Sequence, residues 1–213
     1  MSSPFTLSLL PSYSNLLFDC DGVIFDSNAL KRRNIQQAAS LILSGERLDV
    51  FLEYFNGNPG IPREIKIRRF IHDEDRFGKL LREYNNLNET SLNTVHLVPG
   101  IRNFLRSIEH LPAKKFVVSG GDQQELRTLF RKKNLDIYFT GIYGGPNTKL
   151  ANIRELNLTG RTLFFGDSVH DFQVSEQSGF DFVFVSGQTD IILTKGEASY
   201  QKFYSIRNFR NSR

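Results

Sequence analysis

Between Asn28 and about Leu92 apolar residues recur three and four positions apart: Ala38, Leu41 and Ile42, then Leu48, Phe51, Leu52 and Phe55. That spacing lines one face of a helix. The block is interrupted at Asn56-Gly57-Asn58-Pro59-Gly60-Ile61-Pro62, a loop signal, after which Arg63 to His72 and Asp73 to Asn85 predict two further helices. Elsewhere the pattern is different. Leu16-Leu17-Phe18, Phe116-Val117-Val118, Ile137 to Tyr143, Thr162 to Phe165 and Phe182 to Val185 are short apolar, β-prone runs separated by helical stretches such as Ile101 to Glu109. Strand alternating with helix predicts an α/β fold, with a Rossmann-like, doubly wound parallel sheet and helices on both faces. The all-helical block, residues 27–93, is then an insertion into a core made of residues 1–26 and 94–213.

The ends of the predicted strands carry the chemistry. Leu16-Leu17-Phe18 stops at Asp19-Cys20-Asp21-Gly22, and residues two apart in an extended chain point the same way, so Asp19 and Asp21 converge. Phe116-Val117-Val118 runs into Ser119-Gly120-Gly121, and Leu163-Phe164-Phe165 into Gly166-Asp167-Ser168, with Asp171 following. Lys149 lies just beyond the run that ends at Tyr143. A parallel sheet gathers all these ends at one edge, which is where ligands bind in open α/β sheets.

Composition narrows the reading a little. A chain of 213 residues is long enough for a core plus an insertion, and nineteen Phe with no Trp read as packing material. The formal charge of +4 is spread along the chain, so no nucleic-acid partner is implied. Cys20 is the only cysteine; it excludes an internal disulfide, fits a reducing compartment, and between two aspartates it reads as a small buried hydrophobe. No basic leader precedes Ser14 and no apolar run spans a bilayer, so the expected location is the cytoplasm, with no membrane partner.

Several carboxylates at one place need a counter-charge, and oxygen ligands suit a hard divalent cation such as Mg²⁺. An aspartate can attack phosphorus to give an aspartyl-phosphate. A carboxylate ~4 Å from a phosphate dianion meets repulsion of about 8 kcal/mol at an effective dielectric of ~20, so cations must offset it. The metal and Lys149 supply them, while Ser119 and the amides around Gly120 donate to phosphate oxygens.

With these residues in place the chain resembles the haloacid dehalogenase superfamily of phosphohydrolases, of the phosphoglycolate phosphatase-like type with a helical cap. The motifs that carry the resemblance are, in order, Asp19-Cys20-Asp21-Gly22-Val23 continuing to Asp26-Ser27, then Ser119, Lys149, and Gly166-Asp167-Ser168 with Asp171. The resemblance implies Asp19 as nucleophile and Asp21 as general acid and then base. It implies Mg²⁺ held by Asp19, the Asp21 main-chain carbonyl and Asp167, phosphate bound by Ser119, Gly120 and Lys149, and support from Asp171 and Ser168. Residues 27–93 become a mobile cap. Arg63 and Lys66, after the loop 56–62, are candidates for contacting the rest of a small phosphorylated metabolite, in a monomer or a homodimer. His170 reads as a surface loop histidine.

The resemblance also brings alternatives. Halide-displacing members lack the second aspartate, which disfavours dehalogenation here. Sugar-phosphate mutases of this type carry a histidine where this chain has Lys31, and a catalytically silent partner-binding domain would have no use for the full residue set. Ser119-Gly120-Gly121 departs from the commoner Ser or Thr followed by Asn.

Overall fold

The computed structural model describes residues 3–190, 192–193 and 201–211. Among them seven strands form one sheet: β1 (Ser3–Pro4), β2 (Asn15–Phe18), β3 (Lys114–Asp122), β4 (Gly141–Gly145), β5 (Thr162–Gly166), β6 (Asp181–Val185) and β7 (Phe203–Ile206). Their order is β1-β7-β6-β5-β2-β3-β4, and the pairings are parallel. Apolar runs suit the central strands because both faces of the sheet are covered. Leu16, Phe18, Leu163, Phe165, Val183 and Val185 enter one apolar cluster. The residues between them, Leu17, Phe164, Phe182 and Phe184, enter another on the opposite face. Phenylalanine fills much of this volume: the Phe18 and Phe165 rings stack at 4.7 Å, and Phe104 meets both edge-on.

After β2 come four helices in succession, α1 (Asn28–Ser40), α2 (Gly45–Gly57), α3 (Arg63–Arg68) and α4 (Glu74–Ser91). They surround an apolar cluster of their own, which includes Ile35, Phe51, Phe55, Ile67, Leu80 and Tyr84. Asp73 starts α4 by accepting the Arg76 amide at 2.9 Å. Helices α5 (Ile101–Ser107), α6 (Gln123–Lys132), α7 (Lys149–Glu155) and α8 (Val169–Gln177) accompany the strands. Three of these begin on capping side chains at the carboxyl edge of the sheet: Asp122 accepts from the Glu125 amide, Thr148 from Ala151, and Ser168 from Asp171. No helix among the described residues is long and apolar enough to cross a membrane.

Two strand expectations are corrected. The run Ile137 to Tyr143 is not one strand: Asp136–Tyr138 is a single 3-10 turn with Ile137 71% exposed, and β4 starts only at Gly141, opposite Phe116. Its β-propensity has no partner strand to act on before that point. Conversely β3 does not stop at Val118 but continues through Ser119, Gly120 and Gly121, with a register break before Asp122. The strands β1 and β7 lie at one edge and were too short to register as a pattern.

The strand order places the site. β2 sits between β3 and β5, with Phe18 level with Val117 and Phe165. Sheet-building proceeds from β2 to β3 and β4, then returns to the other side of β2 at β5. Asp19, Ser119 and Asp167 therefore flank the point where the direction reverses, the usual crevice for a ligand.

Candidate active site

Asp19 follows β2, is buried, and is fixed by its amide, which donates to the Phe165 carbonyl oxygen at 2.8 Å. Its Oδ1 lies 2.7 Å from Lys149 Nζ. That ammonium also pairs with Asp171, whose other oxygen accepts the Ser168 hydroxyl at 2.5 Å. Asp167, after β5, accepts from Asn28 Nδ2 at 2.8 Å. Gly22 is required beside it: its φ is +75°, and a Cβ would lie 1.9 Å from Asp167 Oδ2.

Asp21 is held differently, by the first helix. Lys31 Nζ reaches Asp21 Oδ2 at 2.7 Å, and the Ser27 hydroxyl donates to Oδ1 at 2.5 Å. The result is a carboxylate with both oxygens engaged, well separated in partnership from the Asp19 group.

Asp19, Asp21, Ser119, Gly120, Asp167, Arg63 and Lys66 line a single cleft of about 110 Å³. Of the residues singled out in the sequence, Lys149, Ser168 and Asp171 are not in its lining. They lie behind Asp19, where Lys149 is fully buried. Ser119 accepts the Gly121 amide at 3.1 Å, leaving its own hydroxyl proton free to point elsewhere.

The family model for haloacid dehalogenase-like hydrolases matches residues 16–185. The chain belongs to this family. Solved structures with a similar fold include a predicted phosphoglycolate phosphatase from Haemophilus somnus 129pt, at 17% identity and TM-score 0.70 over 93% of this chain and 95% of that one. CbbY from Rhodobacter sphaeroides, in complex with phosphate, shares 17% identity with TM-score 0.71 over 93% and 96%. A predicted phosphatase from Clostridium acetobutylicum shares 18% with TM-score 0.66 over 82% and 85%. No curated protein matches the sequence.

Within this haloacid dehalogenase-like hydrolase the electrostatics divide the cleft in two. On the floor, Asp19, Asp167 and Asp171 bring carboxylate oxygens within 4.8 Å of one another, with Lys149 as the basic group among them. Three negative charges against one positive leave a deficit of two, so the donor set fits a divalent cation. The strain shows in the acids themselves. Burial first, then Asp171, pushes Asp19 up to about 7 despite Lys149, and burial with Asp19 raises Asp167 well above the carboxylate range. For Lys149 burial works against the charge, but Asp171 and Asp19 outweigh it and hold the ammonium. Asp171 has both oxygens committed, so Asp19 and Asp167 are the freer pair for a metal.

The other half of the cleft comes from the helical block. Arg63, 4% exposed, makes a two-pronged contact with Glu125 on α6, at 2.9 and 3.1 Å, and bonds Asn85. Lys66 Nζ donates to the Phe55 carbonyl oxygen at 3.1 Å and sits 3.7 Å above the Phe55 ring. Burial, then the neighbouring Lys31 and Arg63, pulls Lys66 down to about 7.

Gly120 explains the unusual second motif. A Cβ there would come within 2.3 Å of the Gly60 carbonyl oxygen, so the loop 56–62 can lie against β3 only over a glycine. An asparagine would hold that loop off.

The sequence reading missed Asn28 and Tyr84, which line the cleft, and Glu125, which holds Arg63 in it. Glu125 reads in sequence as the fourth residue of an Asp-x-x-Glu helix start, but only its amide takes part in the cap while its carboxylate turns to Arg63. Lys31 was noted only for its position, whereas it binds Asp21. His170 is a correction: it is half-buried in the first turn of α8, beside Gly60, and burial with Lys149 nearby lowers its pKa. Cys20 is buried and its thiol pushed well up, by burial before Asp21, consistent with packing.

Proposed function

We propose that this hydrolase is a Mg²⁺-dependent phosphatase that cleaves a small phosphomonoester through an aspartyl-phosphate on Asp19. The observation that carries the reading is Asp19 at the cleft floor, tied to Lys149 Nζ at 2.7 Å, with Asp21 lining the same cleft two residues on. Membership of the hydrolase family and fold neighbours described as phosphatases support it.

Asp19, Asp167 and the Asp21 main-chain carbonyl would hold Mg²⁺, which supplies positive charge against phosphate oxygens. In the first step an Asp19 oxygen forms a bond to phosphorus, the ester P–O bond breaks, and the leaving oxygen takes a proton from Asp21. In the second, water attacks phosphorus, Asp21 takes its proton, and the bond to Asp19 breaks to free inorganic phosphate. Lys149 keeps Asp19 aimed and offsets its charge. Ser119 and the Gly120 amide donate to the phosphoryl oxygens.

Asp21 must carry a proton in the first step, yet Lys31 favours its carboxylate. Burial raises the Asp21 pKa, but the Lys31 charge and hydrogen bonds from Lys31 and Ser27 bring it below the ordinary value. The acid role therefore requires Asp21 to leave Lys31, and the base role is the one its resting contacts favour. Residues 27–93 act as a cap over the core of residues 1–26 and 94–213, shielding the acyl phosphate from bulk water.

Phosphate release from p-nitrophenyl phosphate, with Mg²⁺ and with chelator, tests the reading. Activity that needs Mg²⁺ and disappears in Asp19→Asn is expected. Activity undiminished in Asp19→Asn overturns it.

A further inference from the structure

Four basic side chains line the cleft on the side of the helical block, and three of them are matched by acids. Lys31 pairs with Asp21, Arg63 with Glu125, and Arg32 lies 3.8 Å from Asp190. Lys66 is the exception. Among the described residues no carboxylate comes within ion-pair distance of it, and its one hydrogen bond goes to the Phe55 carbonyl oxygen. An ammonium carries three donors, and two of these have no protein acceptor among the described residues. The side chain is nevertheless buried, at 7% exposed, and lines the cavity.

A buried cation without a counter-ion is costly unless something supplies one. Arg63 already has its partner inside the protein, because Glu125 occupies both of its prongs. That leaves Lys66 as the unmatched positive group, facing the cavity whose floor receives the phosphate. Resting on the phosphatase reading above, we propose that Lys66 anchors a second anionic group of the substrate, a carboxylate or a further phosphate. The substrates are then short phosphomonoesters with an anion at each end. Lys66, Asp19 and Ser119 line the same cleft, so both anions of the substrate bind within it. The low basicity of Lys66 agrees, since a bound anion restores the charge that burial opposes.

A matched set of three-carbon substrates tests this. Kinetics of phosphate release are measured for glycerol 3-phosphate, 3-phosphoglycerate and propane-1,3-diol bisphosphate, with p-nitrophenyl phosphate alongside. The doubly anionic compounds should exceed glycerol 3-phosphate in kcat/KM by roughly 10- to 100-fold, the worth of a charge-assisted hydrogen bond in a buried site. Whichever of the two leads identifies the second group. In Lys66→Met that ratio should fall toward one, and Lys66→Arg should keep it above one. A wild-type ratio near one, or a ratio that persists in Lys66→Met, overturns the assignment of Lys66 while leaving the phosphatase reading intact. No phosphate from any of the four compounds overturns both.

Discussion

Replacing Lys66 by methionine should make the protein more stable at neutral pH. The side chain keeps its length and its packing on Phe55 but loses an ammonium that the folded state holds at about 7, against an ordinary 10.5. The sign follows from proton counting. Between these two values the unfolded chain binds a proton that the folded chain does not, so wild-type stability rises with pH across that window. Below pH 7 both states are protonated and the full penalty is present; above 10.5 neither is, and it vanishes. At ~1.4 kcal/mol per pH unit the penalty reaches about 4 kcal/mol at pH 7 as a ceiling. Loss of the bond to the Phe55 carbonyl oxygen gives back about 1 kcal/mol, leaving a gain on the order of 3 kcal/mol, or roughly 6–12 °C in Tm for a chain of this size. Urea denaturation of both proteins at pH 7 and pH 9.5 reads the effect. The advantage of Lys66→Met should shrink as the pH rises. A variant that is no more stable at pH 7, with the same pH slope as wild type, refutes the claim that Lys66 is an uncompensated buried base.

Two further outcomes follow from the geometry. Gly120→Ala keeps the backbone amide but places a Cβ against the Gly60 carbonyl oxygen, so it should cost about 1–3 kcal/mol in stability and at least tenfold in kcat/KM by lifting the loop 56–62; a variant with wild-type stability and kinetics would show that the loop does not need this contact. Saturating Mg²⁺, at about 100 times its Kd, should raise stability by ~2.7 kcal/mol by relieving the acids on the floor, and Asp167→Asn should melt higher than wild type without metal and gain less from it. Calorimetric melts with and without Mg²⁺ measure both.

Much of the fold was legible because its signals are local. Strands such as Leu16-Leu17-Phe18 and Thr162 to Phe165 are apolar on both faces, and the helical block shows its period directly. What failed was what depends on partners. Ile137 has strand propensity and lies in a turn, and β3 passes through Ser119-Gly120-Gly121 because β4 pairs with it on both sides of its register break. The same division runs through the site. Asp19, Asp21 and Asp167 were visible as acids ending apolar runs, whereas Glu125 is recognisable only once Arg63 is seen to reach it from another helix. Lys31 likewise carries no local signal for its contact with Asp21, ten residues earlier.

The charges in the cleft separate by what they already have, rather than by how many there are. A count gives Lys31, Arg32, Arg63 and Lys66 as a basic wall suited to almost any anion. Pairing changes that: an ion pair with a protein carboxylate offers little net field to a ligand, which must first displace the acid and leave it unpaired. Recruiting Arg63 costs its two contacts with Glu125, which would keep only Lys31, at 3.9 Å. The groups left unbalanced are the acids of the floor and Lys66 opposite. A cation satisfies the first and an anion the second. A phosphate ester whose remaining part is uncharged brings its one anion to the floor and nothing to Lys66, whose burial stays uncompensated.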